Sequence, residues 1–368
     1  MRGQLAILAA SVALFSSADA FAYSYSTCGG NPIKWSGNNV TMRASPNSFP
    51  TGYWRNALQR AVDIHYRNPS KFFFTLGTDD TTWSSGNGVN EIFGTTDASV
   101  HGGAPAAALT RRTCYWLFGW HYGINESDIY FNYSSPWRWT GDELKTSLWT
   151  YNMNGAGLRQ LQATAIHELG HSSGLLHESR WYNMMGTDFQ HLWANGSTAY
   201  GYLGADAGQG TAFLYGWWSS ARDFSVAHWA YSGVSGEYST HRRTRVYSTA
   251  GAELPVANVA NERGHFVRPG QRVQVEFTYE NQGSVTHTAP MRWVISTNDV
   301  ISTADTTIGT GSITLTPGAH WTARTTVTLP NWLTPGKNYW IGVIADPLNA
   351  TADNYRQNNA TYIPVRAF

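Results

Sequence analysis

The run His167-Glu168-Leu169-Gly170-His171-Ser172-Ser173-Gly174-Leu175-Leu176-His177 constrains this chain more than any other stretch. It sets three imidazoles and one carboxylate at the spacing H-E-x-x-H-x-x-G-x-x-H. On an α-helix, residues four apart lie about 40° apart around the axis and about 6 Å apart along it. His167 and His171 therefore project from one face on successive turns, and Glu168 leans toward the same space without joining them. Gly174 stands where the helix should stop, because φ > 0 at a C-terminal cap is easiest for glycine. The turn there brings His177 back toward the other two rings. Three neutral imidazoles can hold one metal ion and leave a position open for water, the pattern of a catalytic zinc rather than a structural one. A core helix has no use for three imidazoles and a glutamate near its centre.

Tyr182-Asn183-Met184-Met185-Gly186-Thr187 follows shortly after. Together with the histidine run, it resembles the metzincin zinc endopeptidases, which join the long motif to a methionine turn beneath the metal. The spacing to Met185 is similar to the matrixin branch, with Met184 as the adjacent alternative. Glu126-Ser127-Asp128-Ile129-Tyr130-Phe131-Asn132 resembles the strand that precedes the active-site helix in that family. Asp206-Ala207-Gly208-Gln209-Gly210-Thr211-Ala212-Phe213-Leu214-Tyr215-Gly216 resembles the helix that closes its catalytic domain. The likeness runs roughly from Pro32 to Gly216. His177-Glu178 looks like the astacin branch, but the tyrosine astacins carry after the methionine is replaced by Thr187. The resemblance implies an α+β metzincin-like zinc protease domain, Zn²⁺ on His167, His171 and His177, Glu168 as catalytic base and Met185 as the Met-turn residue.

The first residues read as a secretory signal. Arg2 supplies a positive start, Leu5 to Phe15 is apolar but too short to span a bilayer, and Ala20-Phe21-Ala22 offers a cleavage site. Ala18-Asp19-Ala20 is an alternative. No later run is apolar enough for a membrane span. An exported chain meets an oxidising compartment, so Cys28 and Cys114, the only 2 cysteines, are expected to pair. The sharper alternative is that Cys28-Gly29-Gly30 acts as a cysteine switch over the metal. With 25 basic and 24 acidic residues and no long basic run, the charge implies neither a nucleic-acid partner nor an anionic-membrane one.

The 368 residues suit two folded domains. The reading divides them into a signal at 1–22, a catalytic domain at 23–218, a connector at 219–238 and a β-domain at 239–368. Val40 to Ala44 is extended. Trp54, Ala57, Leu58, Ala61, Val62 and His65 recur at helical spacing, and Asn68-Pro69 ends that helix. Lys71 to Leu76 reads as a strand, Gly77 to Asn90 as a loop and Gly157 to Ser173 as the active-site helix. After Ser239 the helical period disappears. Val273 to Tyr279 alternates apolar and polar residues, and similar runs recur at Arg292 to Ser296, Ala323 to Leu329 and Tyr339 to Ala345, separated by Gly, Pro and Asn. This argues for an all-β immunoglobulin-like sandwich. Tyr279-Glu280-Asn281-Gln282-Gly283 and Asp353-Asn354-Tyr355-Arg356-Gln357-Asn358-Asn359 resemble the CARDB-type module of exported prokaryotic proteins. Asp353 and its asparagine neighbours could bind Ca²⁺ through oxygen ligands, against the alternative that they bond their own turns.

The leading expectation is a secreted zinc endopeptidase acting on a protein or peptide. Trp181, Tyr182, Trp193 and Tyr200 are candidates for the pocket wall, set against ordinary packing. His121 and His191 are extra histidines expected at the surface or in the core. Two rivals stand beside this reading. One is an extracellular binding protein or adhesin with a structural zinc, its C-terminal domain docked to a surface or another extracellular partner. The other is a narrow amidase of cell-wall peptides.

Overall fold

The computed structural model of the chain describes residues 23–145, 158–218 and 221–368. The expected signal at 1–22, Gly157 at the start of the expected active-site helix and the first residues of the expected connector lie outside the described residues.

Residues Asn39–Ala44 alternate exposed and buried side chains, as a half-buried strand should. They sit inside a five-stranded sheet in the order Phe73–Leu76, Asn39–Ala44, Glu91–Thr95, Trp120–Asn132, Ala106–Trp116. The first four strands run parallel, and Ala106–Trp116 closes the sheet as an antiparallel edge. Helix α1 (Tyr53–Tyr66) buries Ala57, Leu58, Ala61, Val62, Ile64 and His65 on one stripe. Helix α2 (Ala98–His101) is one turn, N-capped by Asp97. Helix α3 (Leu161–Ser172) carries the histidine run and is buried almost all round. Helix α4 (Gly204–Tyr215) is buried over most of its length. The imidazole of His65 contacts the Ile166 carbonyl at 2.8 Å, which ties α1 to α3. Met42, Phe49, Leu58, Phe131, Leu161, Ile166 and Leu169 meet in the core between sheet and helices.

The remainder forms two packed antiparallel layers. In one, Arg272–Asn281 pairs with His320–Thr328 on one side and with Phe224–Ala227 and Val246–Ser248 on the other. In the second, six strands run in the order Val256–Val259, Glu262–Val267, Ala360–Ala367, Asn338–Ala345, His287–Ser296, Thr306–Leu315. Only Glu262–Val267 and Ala360–Ala367 are parallel there. Val275, Phe277 and Tyr279 from one layer meet Trp293, Ile341, Val343 and Ile363 from the other in a separate core. This is the immunoglobulin-like sandwich expected from the alternating runs.

The α+β class expected for the catalytic part is corrected by the structure. The chain is mostly β, at 44% strand and only 15% helical. The extra strand comes largely from segments without a helical period to which the sequence assigned no element, and from the stretch expected as a connector. Ala106–Trp116 and Trp120–Asn132 form one long hairpin. Leu192–Asn195 and Thr198–Gly201 form a short one. The described part of the expected connector, 221–238, is built into both halves: Phe224–Ala227 joins the sandwich, while Trp229–Ser235 pairs with Tyr238–Arg243. Backbone amides in these connections are satisfied by neighbouring chain, which a free linker would leave to water.

Cys28 and Cys114 form a disulfide across a sequence separation of 86. The pairing expected from compartment is therefore what the chain makes, and Cys28 is not free to act as a switch. The bond pins the short ladder Thr27–Cys28/Asn31–Pro32 to the edge hairpin.

Candidate metal centre

Helix α3 delivers His167 and His171 from successive turns. It ends at Ser172, and Gly174 follows with φ +104°, the left-handed backbone that L side chains avoid. The chain doubles back there, and the three rings converge. Nε2 of His171 lies 3.1 Å from Nε2 of His167 and 2.9 Å from Nε2 of His177.

Each ring is oriented from behind. Nδ1 of His167 bonds the Met184 carbonyl at 2.8 Å, and Nδ1 of His171 bonds the Leu175 carbonyl at 2.9 Å. Nδ1 of His177 lies 3.0 Å from Oε1 of Glu237. Carbonyls and carboxylates only accept, so every Nδ1 carries the proton and every Nε2 of a neutral ring presents a lone pair. Three lone pairs about 3 Å apart repel unless a cation lies between them. The separations also approach the roughly 3.3 Å expected between nitrogens on a tetrahedral zinc. The donor set therefore fits a divalent metal. Among the described residues, His167, His171 and His177 are the one group of three or more His, Cys, Asp or Glu arranged to hold an ion.

Burial favours the neutral rings. It holds the His167 imidazole down at about 4, and it also lowers His171 and His177. Glu168, on the next position of α3, is pushed the other way. Burial first and the Asp188 charge second raise its carboxyl to about 8, against the pull of Arg159 and of a backbone bond from Ala108. One of its oxygens, Oε2, is buried without a hydrogen-bond partner. Asp188 itself is held by the Arg159 guanidinium and accepts from Thr164 Oγ1 at 2.6 Å.

The two adjacent methionines have different jobs. Met184 gives its carbonyl to His167, whereas Met185 packs its thioether against α3 at Gly170. A Cβ at Gly170 would meet the Met185 sulfur at 2.4 Å, so the close approach requires glycine there. Met185 is buried in the core against the helix that carries His167 and His171.

Two site residues have no signal in the histidine run. The tip of the Trp229–Ser235/Tyr238–Arg243 hairpin brings Glu237 to His177 and lays the Tyr238 ring over it, with centroids 4.2 Å apart. Burial, then Glu237 and Glu168, raise the Tyr238 phenol, which keeps it a proton donor. The hairpin is locked to the Met-turn: Ser239 N–H donates to the Glu178 carbonyl at 3.1 Å, and Asn183 Nδ2 donates to Ser239 Oγ at 3.2 Å.

The expected pocket wall is only partly assembled. Tyr182, Trp193 and Tyr200 are buried together with Tyr202 and Trp229, and the cavity Tyr200 borders, with Arg60, Glu143 and Tyr355, does not include the three histidines. Trp181 alone is exposed, at φ +66°. His191 stacks on Tyr182 at 4.3 Å, and His121 stacks on Tyr115 at 4.8 Å, so neither joins the metal group. Asp353 accepts from the amides of Tyr355 and Phe224 and from Asn359 Nδ2. The Tyr355 bond closes the turn of Asp353 itself, and the Phe224 bond ties that turn to a distant strand.

No family model matches the chain, and no curated protein matches its sequence. Among solved structures, the CARDB domain of the PF1109 protein from Pyrococcus furiosus in complex with di-metal ions is similar at 13% identity. It covers 40% of this chain and 90% of that one, with a TM-score of 0.25. The solution structure of the same domain aligns at 17% identity over 28% of this chain and 84% of that one, TM-score 0.22. A beta-glucosidase from Listeria innocua in complex with isofagomine aligns at 11% identity over 42% of this chain and 17% of its own, TM-score 0.22. Likenesses this slight carry no functional argument.

Proposed function

We propose that this chain is a secreted zinc-dependent endopeptidase. The observation that carries the reading is the convergence of three Nε2 lone pairs beside a buried glutamate with an unpartnered oxygen. A structural zinc would be closed by a fourth protein ligand and would leave Glu168 without a purpose. The adhesin reading is weaker for that reason. The sequence resemblance to matrixin-like metzincins supports the same chemistry at the level of motif and Met-turn.

His167, His171 and His177 would hold the ion, with Met184, Leu175 and Glu237 fixing their tautomers. Zn²⁺ bound there would supply Lewis acidity, lowering the pKa of water toward neutrality and polarising a carbonyl. Glu168 is placed to take a proton at its free oxygen and return it to the departing amine. Its place beside the three rings, with one oxygen free, suits a group that must both accept and release a proton. Ala108, whose amide contacts Glu168, belongs to the edge strand of the sheet. An extended peptide adding to that edge would lie alongside the glutamate. Tyr238, covering His177, is placed to donate to the oxygen that gains charge.

The disulfide agrees with an oxidising compartment, and no described helix is long and apolar enough to cross a membrane. The test is metal content and hydrolysis of a peptide library by the purified chain, before and after chelation. Stoichiometric zinc with chelator-sensitive cleavage supports the reading, and zinc without cleavage overturns it.

A further inference from the structure

The edge hairpin does not end at the sheet. Beyond the disulfide at Cys114 it continues as a two-stranded finger through Trp116, turning at Leu117-Phe118-Gly119 and returning from Trp120. Tyr115, Trp116, Leu117, Phe118, Trp120 and Tyr122 are all exposed, with Phe118 at 99%. Scattered surface aromatics need no explanation, but a contiguous apolar tip marks an interaction surface.

The finger is held in shape. The Leu117 amide donates to the Gly119 carbonyl at 2.9 Å, and the ring of His121 contacts the Leu117 carbonyl at 3.0 Å. Trp116 and Trp120 meet edge to face at 5.7 Å. Trp120 lies so close over the Gly29 turn that a Cβ there would sit 2.1 Å from its ring, and Cys28 next door is bonded to Cys114. Phe118 stands at the apex with φ +54°, a backbone a phenylalanine adopts at a cost. The fold therefore spends strain to present this side chain outward.

What the finger meets follows from its symmetry and charge. Successive residues of a strand point to opposite faces, so Tyr115, opposite His121, lies on one face and Trp116, opposite Trp120, on the other; both are exposed, and Leu117 and Phe118 stand out from the turn at the apex. A groove on a protein partner would cover one face and leave the other wet. An apolar medium covers both. Tryptophan and tyrosine are also the residues that favour a membrane–water interface. From Ala98 to Asn125 the chain contains no Asp or Glu, while Arg111 and Arg112 flank the base of the finger. Arg111 reaches the buried Glu126 at 3.6 Å, and Arg112 donates to Ser26 Oγ. Both arginines are exposed residues.

We propose that this finger inserts its tip into the interface of a lipid bilayer bearing anionic headgroups, attaching the protein to a membrane surface without spanning it. The apolar tip supplies one signal and the basic base the second, which is what reversible but stable attachment requires. The inference goes beyond the peptidase reading and does not depend on the metal.

The test is flotation of the full chain with vesicles of phosphatidylcholine, with and without phosphatidylglycerol. The expected result is binding to the anionic vesicles about tenfold above that of a Leu117→Ser/Phe118→Asn double variant, and weak binding to phosphatidylcholine alone. Both substitutions suit a solvent-exposed turn, and asparagine tolerates φ > 0. Circular dichroism and unchanged hydrolysis of a short soluble peptide verify that the variant is folded. Chelation of the metal should leave flotation unchanged. Wild-type protein that fails to float overturns the proposal, as does a variant that floats equally well. So does a variant that loses digestion of a large protein substrate while the wild type ignores vesicles, since that identifies a protein-docking site instead.

Discussion

Glu168 and Glu280 are both buried glutamates, one in each half of the molecule, and they are treated in opposite ways. Glu280 lies on Arg272–Asn281, whose alternate residues Val275, Phe277 and Tyr279 face the sandwich core. Its own side chain faces the other half. Oε2 accepts from Tyr202 Oη at 2.6 Å, Oε1 accepts from the Ala205 amide at 3.1 Å, and His191 stands 3.8 Å away. Burial pushes this carboxyl up, yet those partners outweigh it and it ends below the ordinary glutamate value. Glu168 keeps an oxygen unpaired and ends near 8. A satisfied buried charge holds two parts together, whereas an unsatisfied one beside three converging lone pairs is reserved for something that is not protein.

The strongest way to break this contrast is to remove the reserved carboxylate. Glu168→Gln should lower peptide hydrolysis by about 10²–10⁴-fold while metal content and melting temperature stay near wild type, read by turnover, metal analysis and calorimetry. If stability rather than turnover falls, the two glutamates are alike after all. Glu280→Ala should do the converse. It leaves Tyr202, the Ala205 amide and His191 facing a void, and should cost about 2–4 kcal/mol in urea unfolding with hydrolysis per folded molecule unchanged. Glu237→Gln probes the support of the site: the His177 tautomer loses its charged partner, and metal affinity should fall roughly tenfold in a competition titration.

A further contrast concerns acid. His65 in the first half and His265 in the sandwich are both held down by burial from 6.5 to about 4. A ring whose folded pKa is below its unfolded value gives full stability above about 6.5. That contribution declines as pH falls from there toward 4, because only the unfolded chain takes up the proton. Melting temperature should therefore fall over this window, and replacing either histidine with glutamine should flatten the profile.

Much of the site could be read in advance because it is local. His167, Glu168, His171, Gly174 and His177 lie within less than two helical turns and a bend, so spacing encodes their geometry. Met185 follows in the same stretch. Glu237 and Tyr238 arrive from a hairpin far along the chain, and no periodicity links them to His177. Tyr182, Trp193 and Tyr200 were candidates by proximity in sequence, but proximity does not tell a cleft wall from a core. The β-rich character was underestimated for a related reason. The strand Ala106–Trp116 runs Ala, Ala, Ala, Leu before its aromatics, a composition without a clear two-residue alternation, and only its partner Trp120–Asn132 makes it a strand. The sandwich was easier, since its alternating runs and Gly/Pro/Asn breaks are independent of distant partners.

The hairpin that carries Glu237 has a consequence for anyone recombining these parts. A seam placed at residue 218, where the helix-bearing portion ends, would strip His177 of its carboxylate neighbour and its tyrosine cover. One placed at 239 would sever the second arm of that same ribbon. A transplantable unit has to run through Arg243, and because Phe224–Ala227 on the way is woven into the other layer, no clean excision exists. The two portions are better regarded as one block than as interchangeable cassettes.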